Sequence, residues 1–382
     1  MNYRHAFASV LPRIILGSGL AACAGQSASP TLAKDGRVRV ATFNIFELST
    51  AKLARAPSDG RLRDTQVVAA ADIIQAVRPD ILLLNEIDAL PSDPAHAARR
   101  FAMEVLAVGP HAVRYPYVYS AETNTGELSG FDLNLDEKIA TTADVGSRAY
   151  GDDSWGYGTY PGQYGMAILS RFPIDTARLR SFRLMRWKDL PDALLPSAFY
   201  GDSVADQFRL SSKSHWDVPI VVGNDTLHLL ASHPTPPVFD GPEDRNGRRN
   251  FDEVGFWLHF LNDSRAIVDD RGRRGGMMTK QPFVIVGDLN ASPEQRESQY
   301  RGGPAIMQLL RDARIQDPPQ HQRRPTATFG GGTRVDYVLP SVQLTIVNGG
   351  VEWPDSTSYR DGARRAALAS DHRLVWLDLR FR

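Results

Sequence analysis

Hydrophobic and polar positions change rhythm along the chain, and each rhythm predicts an element. RVRVATFNIF (37–46) alternates and is β-branched, which predicts a strand. RLRDTQVVAAADIIQAV (61–77) has apolar residues at helical spacing and stops before Arg78-Pro79, a helix end. DILLLNEID (80–88) is a short apolar run that suits a strand covered on both faces. AHAARRFAMEVLAV (95–108) predicts a second helix and YPYVYS (115–120) another strand. Residues 121–164 then lose all periodicity and fill with Gly, Asp, Thr, Ser and Tyr, a long loop of the kind that often serves function. MAILSRFPI, SFRLMRW, VPIVVGN and TLHLLASH predict strands, the last two joined by a hairpin turn. NFDEVGFWLHFLNDSRAIVDD (250–270) predicts a helix, and PFVIVGD, RVDYVLP, VQLTIVN and HRLVWLDLRF predict further strands.

Strands outnumber helices, and no repeat or break in composition follows residue 36. The expectation is one α+β domain over 37–382. Its form is a four-layer α/β-sandwich, two packed and mostly antiparallel sheets flanked by helices.

Several strands stay apolar until their last residues and then present a polar group. These are Asn44 in TFNI, Glu86 in LLLNEID, His233 in LLASHP, and Asp288 with Asn290 in VIVGDLN. Asp336 in RVDYVLP and Asp371-His372 in SDHRLV complete the set. A buried carboxylate is costly unless it is paired or binds a metal. If these ends converge, they form one polar pocket suited to metal-assisted phosphoryl chemistry. Carboxylate and amide oxygens suit a hard cation, and imidazoles stabilise phosphate charge or protonate a leaving oxygen. Asp and Asn at a strand end also suit a plain turn. GFDLNLDEK repeats the triplet at Asp132-Leu133-Asn134 with no strand before it, and that copy reads as loop chemistry.

Charge and the N-terminus narrow the picture. The formal net charge is zero. A protein that lives by non-specific cation–phosphate contacts with nucleic acid is not written into that balance, although a nucleic acid stays open as substrate. Residues 1–22 have a charged start with Arg4 and Arg13, then the apolar stretch IILGSGLAA. LAAC, ending at Cys23, resembles the lipobox of bacterial lipoproteins, in which the cysteine is lipidated. A plain secretory signal cut within CAGQSASP is the other reading. Either predicts export, to the periplasm, to the outer membrane as a lipoprotein, or to the medium. Cys23 is the sole cysteine, so no internal disulfide forms. Residues 23–36 read as a small, polar tether.

The strand-end motifs together resemble the endonuclease/exonuclease/phosphatase superfamily of DNase I, the neutral sphingomyelinases and the inositol polyphosphate 5-phosphatases. ATFNI, LLLNEID, YGMAILSRFPI, SHPTPP, VGDLNASP, RVDYVLP and SDHRLV occur in that family's order from residue 37 to the C-terminus. The resemblance implies a phosphoesterase using Mg²⁺, or another divalent cation such as Mn²⁺ or Ca²⁺, on a phosphate-ester substrate, acting as a monomer. It implies metal binding by Glu86, with Asn44 and Asp371 beside it. Asp288 would orient or deprotonate the attacking water, and Asn290 would contact the phosphate. His372, oriented by Asp336, would stabilise the charge developing on the phosphate. His233 matches a histidine of the DNase I and sphingomyelinase branches, unlike the apurinic-site branch. The alternative is a silent ligand-binding module on the same fold.

Beyond these motifs the residues allow more than one reading. Arg245, Arg248 and Arg249 suit phosphate contacts or a solvated charge run, and the helix start there offers N–H groups to an anion. Trp155, Tyr157 and Tyr160 suit a substrate rim or an anchored loop. Asn85, Asp88 and His228 read as structural, the strand period placing Asn85 opposite Glu86. His111, His215, His259 and His321 read as surface or packing residues.

Overall fold

The computed structural model describes residues 36–54, 64–277, 281–352 and 362–382. The expected signal peptide, Cys23 and the tether up to residue 35 lie outside the described residues. Among the described residues, no helix is long and apolar enough to cross a membrane.

The strands, in chain order, are β1 (Val38–Leu48), β2 (Ile81–Ile87), β3 (Tyr117–Tyr119), β4 (Gly165–Ser170), β5 (Arg180–Ser181), β6 (His215–Val222) and β7 (Asp225–Ser232). They continue with β8 (Phe283–Asp288), β9 (Gln299–Tyr300), β10 (Gly303–Pro304), β11 (Asp336–Pro340), β12 (Leu344–Val351) and β13 (Val375–Phe381). One sheet runs β12-β13-β1-β2-β4-β3 and the other β11-β8-β7-β6-β5. Only β1–β2 and β7–β8 pair in parallel within these two sheets; β9 and β10 form a small hairpin apart. The longer helices are α1 (Thr65–Val77), α2 (His96–Arg100, continuing as a π-helix over Phe101–Leu106), α3 (Arg245–Leu261) and α4 (Gly362–Ala369).

Alternation along the strands sorts side chains into three apolar clusters, and these define the layers. Val38, Val40, Ile81, Leu83, Leu229, Ala231, Val284, Val286 and Val338 fill the space between the sheets. The intervening residues Ala41, Phe43, Leu82 and Leu84 face α1 and α2 on one outer side. Leu230, Ile285, Tyr337 and Leu339 face Phe251, Val254 and Trp257 of α3 on the other. The order is helix, sheet, sheet, helix, as the strand and helix patterns predict.

The segment SFRLMRW departs from its predicted strand: of its residues only Ser181 lies in a strand, and Arg186 makes an isolated bridge to Arg209. Phe182, Met185 and Trp187 all pack into the α3-side cluster. A strand cannot send both odd and even positions to one side. The helix predicted to begin near Asn250 begins earlier, at Arg245, and ends at Leu261.

Candidate active site

The polar strand ends continue the apolar stripe between the sheets. On β1 the inward series Val38, Val40, Thr42 ends at Asn44; on β7 and its exit Leu229 and Ala231 lead to His233; on β8 Val284 and Val286 lead to Asp288. Asp336 opens β11 directly opposite Asp288 in the antiparallel register. The inter-sheet core therefore turns polar at one edge, and that edge is the floor of a cavity of about 1550 Å³.

Asp288 is the hub. Its Oδ2 accepts from Asn44 Nδ2 at 3.0 Å and lies 3.5 Å from His233 Nε2 and 3.7 Å from His372 Nε2. Its Oδ1 accepts from the Asn290 backbone N–H at 2.9 Å. Burial alone would push its carboxyl up, but the His372 charge, His233 and the Asn290 N–H outweigh it and hold the group well below the usual carboxylate range.

Two carboxylates directly opposite each other repel, and His372 relieves this pair. Its Nδ1 lies 2.9 Å from Asp336 Oδ2 while its Nε2 faces Asp288. Burial would depress its pKa, but Asp336 and Asp288 reverse that and raise it to about 10. Burial raises Asp336 to about 6 against the pull of His372. At neutral pH the pair stands as imidazolium and carboxylate. Ser370 fixes the segment: its hydroxyl donates to the Asn44 carbonyl at 2.8 Å and accepts the His372 N–H at 2.9 Å. His233 is buried, and burial together with Lys213 lowers its pKa, so it is neutral.

Glu86 reaches the site by a break in its strand. It has φ +64°, and the register of β2 shifts on both sides between Asn85 and Ile87. Alternation would send it toward the outer helices. The bulge turns it instead to Asn44, whose Nδ2 donates to Oε1 at 2.9 Å, while the Glu47 N–H donates to Oε2 at 3.3 Å. Asn85 keeps the inward position, and its Oδ1 accepts the Asp288 N–H at 3.2 Å. It positions the hub, a role its parity with the inward stripe already signals. Asp371 lines the cavity, with Oδ1 4.0 Å from His372 Nε2.

Two groups of donors deserve comparison as a metal centre. Asp288, Asp336 and His372 gather within 4.8 Å of one another. There His372 would have to release its proton before its nitrogen could take a metal, and in this arrangement it stands between the two carboxylates as their counter-charge. Glu86 is different: both oxygens accept from uncharged donors, its carboxylate is partly exposed to the cavity, and Asp371 and Glu47 line the same opening. These oxygens are not gathered as tightly as the first cluster, but carboxylate oxygens are the ligands that a hard divalent cation takes.

The three arginines separate. Arg249 lines the cavity but is buried, and its Nε and Nη2 donate to the carbonyls of Leu210, Trp155 and Arg209, so its guanidinium braces the loops there. Arg248 donates to the Glu243 carbonyl, lies over the Tyr300 ring and does not line the cavity. Arg245 does line it. The α3 start is also taken: Asp240 accepts the N–H groups of Asn246 and Gly247 at 2.9 and 2.8 Å. Of the loop aromatics, Tyr157 lines the cavity, Trp155 packs against Phe208, and Tyr160 donates to Asp88. The DLN copy at 132–134 closes on itself, with Asp132 accepting the N–H groups of Asp136 and Glu137.

Sequence reasoning missed the supports behind the site. Glu253 of α3 accepts the Ser212 and Thr235 N–H groups, each at 2.7 Å, and Asn250 donates to the carbonyls of Thr235, Leu289 and Asn290. It also missed Lys213, a buried lysine in the cavity lining whose pKa burial lowers, against the pull of Glu253, Glu86 and Asp288. A lysine between serines at a strand start gives no signal of its depth.

The family model described as "Endonuclease/Exonuclease/phosphatase family" matches residues 41–372. No curated protein matches the chain by sequence. Among solved structures, an endonuclease/exonuclease/phosphatase from Beutenbergia cavernae is similar, with TM-score 0.52 and 19% identity over 90% of this chain and 72% of that one. TDP2 from Caenorhabditis elegans gives TM-score 0.45 and 16% identity, covering 92% and 77%. The human Nocturnin catalytic domain with bound sulfate gives 0.46 and 12%, covering 91% and 95%.

Proposed function

The chain belongs to the endonuclease/exonuclease/phosphatase family, and from that premise we propose that it hydrolyses phosphate esters by direct attack of a water held at Asp288. Members of this family are generally metal-dependent hydrolases of phosphoester bonds. The observation that supports the reading best is the surroundings of Asp288: an ionised carboxylate on a cavity floor, ringed by Asn44, His233 and His372.

In this reading Asp288 accepts a hydrogen bond from the water and takes its proton as the oxygen adds to phosphorus. Asn290, its backbone fixed by Asp288 and its side chain by the Pro234 carbonyl, presents an amide to the phosphate. The His372 imidazolium, oriented by Asp336, faces the growing negative charge, and Lys213 adds a second cation from the floor. The leaving oxygen departs with a proton, and neutral His233 stands where it can relay one. Glu86, with Asn44 and Asp371, would hold a divalent cation, Mg²⁺ by preference and Mn²⁺ or Ca²⁺ otherwise. When bound, such an ion polarises the phosphoryl oxygens and offsets charge on the leaving group.

The test is p-nitrophenol release from bis-p-nitrophenyl phosphate and p-nitrophenyl phosphate, with Mg²⁺ and with EDTA. Wild type should be active only with the cation, and Asp288→Ala should lose roughly 10³-fold or more. Equal background from both proteins on every ester, across Mg²⁺, Mn²⁺ and Ca²⁺, would sink the reading.

A further inference from the structure

The cavity exceeds what one phosphate needs. Its volume is about 1550 Å³, against ~300–1,000 Å³ for sites that hold one small ligand. Five aromatic side chains are exposed among the described residues: Phe46, Tyr157, Phe199, Phe239 and Phe329. All but Phe199 line this one opening. Exposed rings scattered singly need no explanation, but rings gathered at one cavity mark a binding surface.

Phe329 is the ring that reaches the reacting groups. It meets the His372 imidazole edge-on, with centroids 5.4 Å apart, and remains 44% exposed. Its base is fixed to the catalytic segment. The Thr328 N–H donates to the Asp371 carbonyl at 2.9 Å, and Ala327 pairs with His372 in an isolated bridge. Beyond it, Gly330, Gly331 and Gly332 all have positive φ, and the turn they make brings no side chain that could cover the ring. The loop thus holds an uncovered aromatic beside the catalytic histidine.

We propose that Phe329 determines specificity by stacking on a planar ring joined to the scissile phosphate, so that the preferred substrate is a nucleotidyl phosphodiester. This rests on the phosphoesterase reading above. Stacking on an aromatic side chain tolerates any base, because every base has a π-face. Arg323 and Arg324, earlier in the same segment, line the cavity and match the further phosphates of such a chain. Their charge also argues against the main competitor. Aromatic rings recognise quaternary ammonium headgroups through cation–π contacts. The lining as a whole mixes acids and bases, but residues 318–335, which carry Phe329, bring Arg323 and Arg324 and no carboxylate, so this segment favours an anionic neighbour over a cationic headgroup. A polyol phosphate offers no planar face at all.

Three esters with the same leaving group separate these cases: the p-nitrophenyl esters of thymidine 5′-phosphate, methyl phosphate and phosphorylcholine, assayed with Mg²⁺. Wild type should prefer the thymidine ester over the methyl ester by about tenfold or more in kcat/KM. Phe329→Ala should cut that ratio by about tenfold, chiefly through KM, and Phe329→Trp should restore it. A ratio that survives Phe329→Ala, or a wild type that prefers the phosphorylcholine ester, overturns the inference while leaving the phosphoesterase reading intact. Turnover of none of the three overturns both.

Discussion

Lys213 places a cation where burial works against it. It is buried, and burial lowers its pKa against the opposing pull of Glu253, Glu86 and Asp288. The surrounding carboxylates do not depend on it for hydrogen bonds. Glu253 is satisfied by two backbone N–H groups, Glu86 by Asn44 and Glu47, and Asp288 by Asn44 and Asn290. A buried cation with so little structural need is best explained by an anion that arrives later. Lys213→Met should therefore lower kcat/KM on bis-p-nitrophenyl phosphate by about 10²-fold, the usual worth of one charge-stabilising group. Its unfolding midpoint in urea should stay level or rise, because an apolar isostere replaces a desolvated charge. A variant that loses stability and keeps its activity would make Lys213 a structural residue.

At the scale of the element, β8 shows how a strand delivers a carboxylate to the cavity floor. Gly287 has φ +148°, and a Cβ there would lie 2.0 Å from the Ser232 carbonyl of β7. Only glycine lets the two strands stay close while Asp288 turns inward beside His233. Gly287→Ala should cost about 3 kcal/mol or more in chemical denaturation, from backbone strain and overlap together. It should also weaken activity in whatever fraction folds. Much of this geometry is legible in the sequence, because a period of two needs no structure to read. Leu229-Ala231-His233 and Val284-Val286-Asp288 each name an inward face and its last member, and Leu289 between the polar pair packs outward under α3. What hides is whatever breaks the period. Glu86 reaches the site through a bulge that alternation cannot foresee, and Asn85 keeps the inward place beside it. Arg249 hides for a different reason. A guanidinium suits phosphate and backbone carbonyls alike, and only the fold shows that three carbonyls already surround it.

Across the whole molecule, four dry layers bury histidines that take no part in the site, and these set how the fold responds to acid. His215 on β6 lies between the Ser211 hydroxyl, 2.6 Å from Nδ1, and the Glu253 carbonyl, 2.8 Å from Nε2. A carbonyl can only accept, so Nε2 carries a proton, and in the neutral ring Nδ1 accepts from the hydroxyl. Burial lowers its pKa from 6.5 to about 4. Between those values the unfolded chain binds a proton that the folded one refuses, so stability falls as pH drops from 6.5 toward 4. Burial lowers His321, under the Trp376 carbonyl, to about 4 as well. Asp252 and Asp336, raised by burial to about 6, act in the opposite sense, since the folded state then takes up protons first. A wild-type stability curve therefore mixes both signs, and a single variant is needed to isolate one. His215→Gln keeps an N–H donor within reach of the Glu253 carbonyl and removes the titration. It should be less stable than wild type at pH 7, and that gap should shrink by about 2 kcal/mol at pH 5. Urea denaturation of both proteins at the two pH values measures it. A gap that stays constant would mean that His215 titrates alike in the folded and unfolded chains, which its buried, doubly hydrogen-bonded ring forbids.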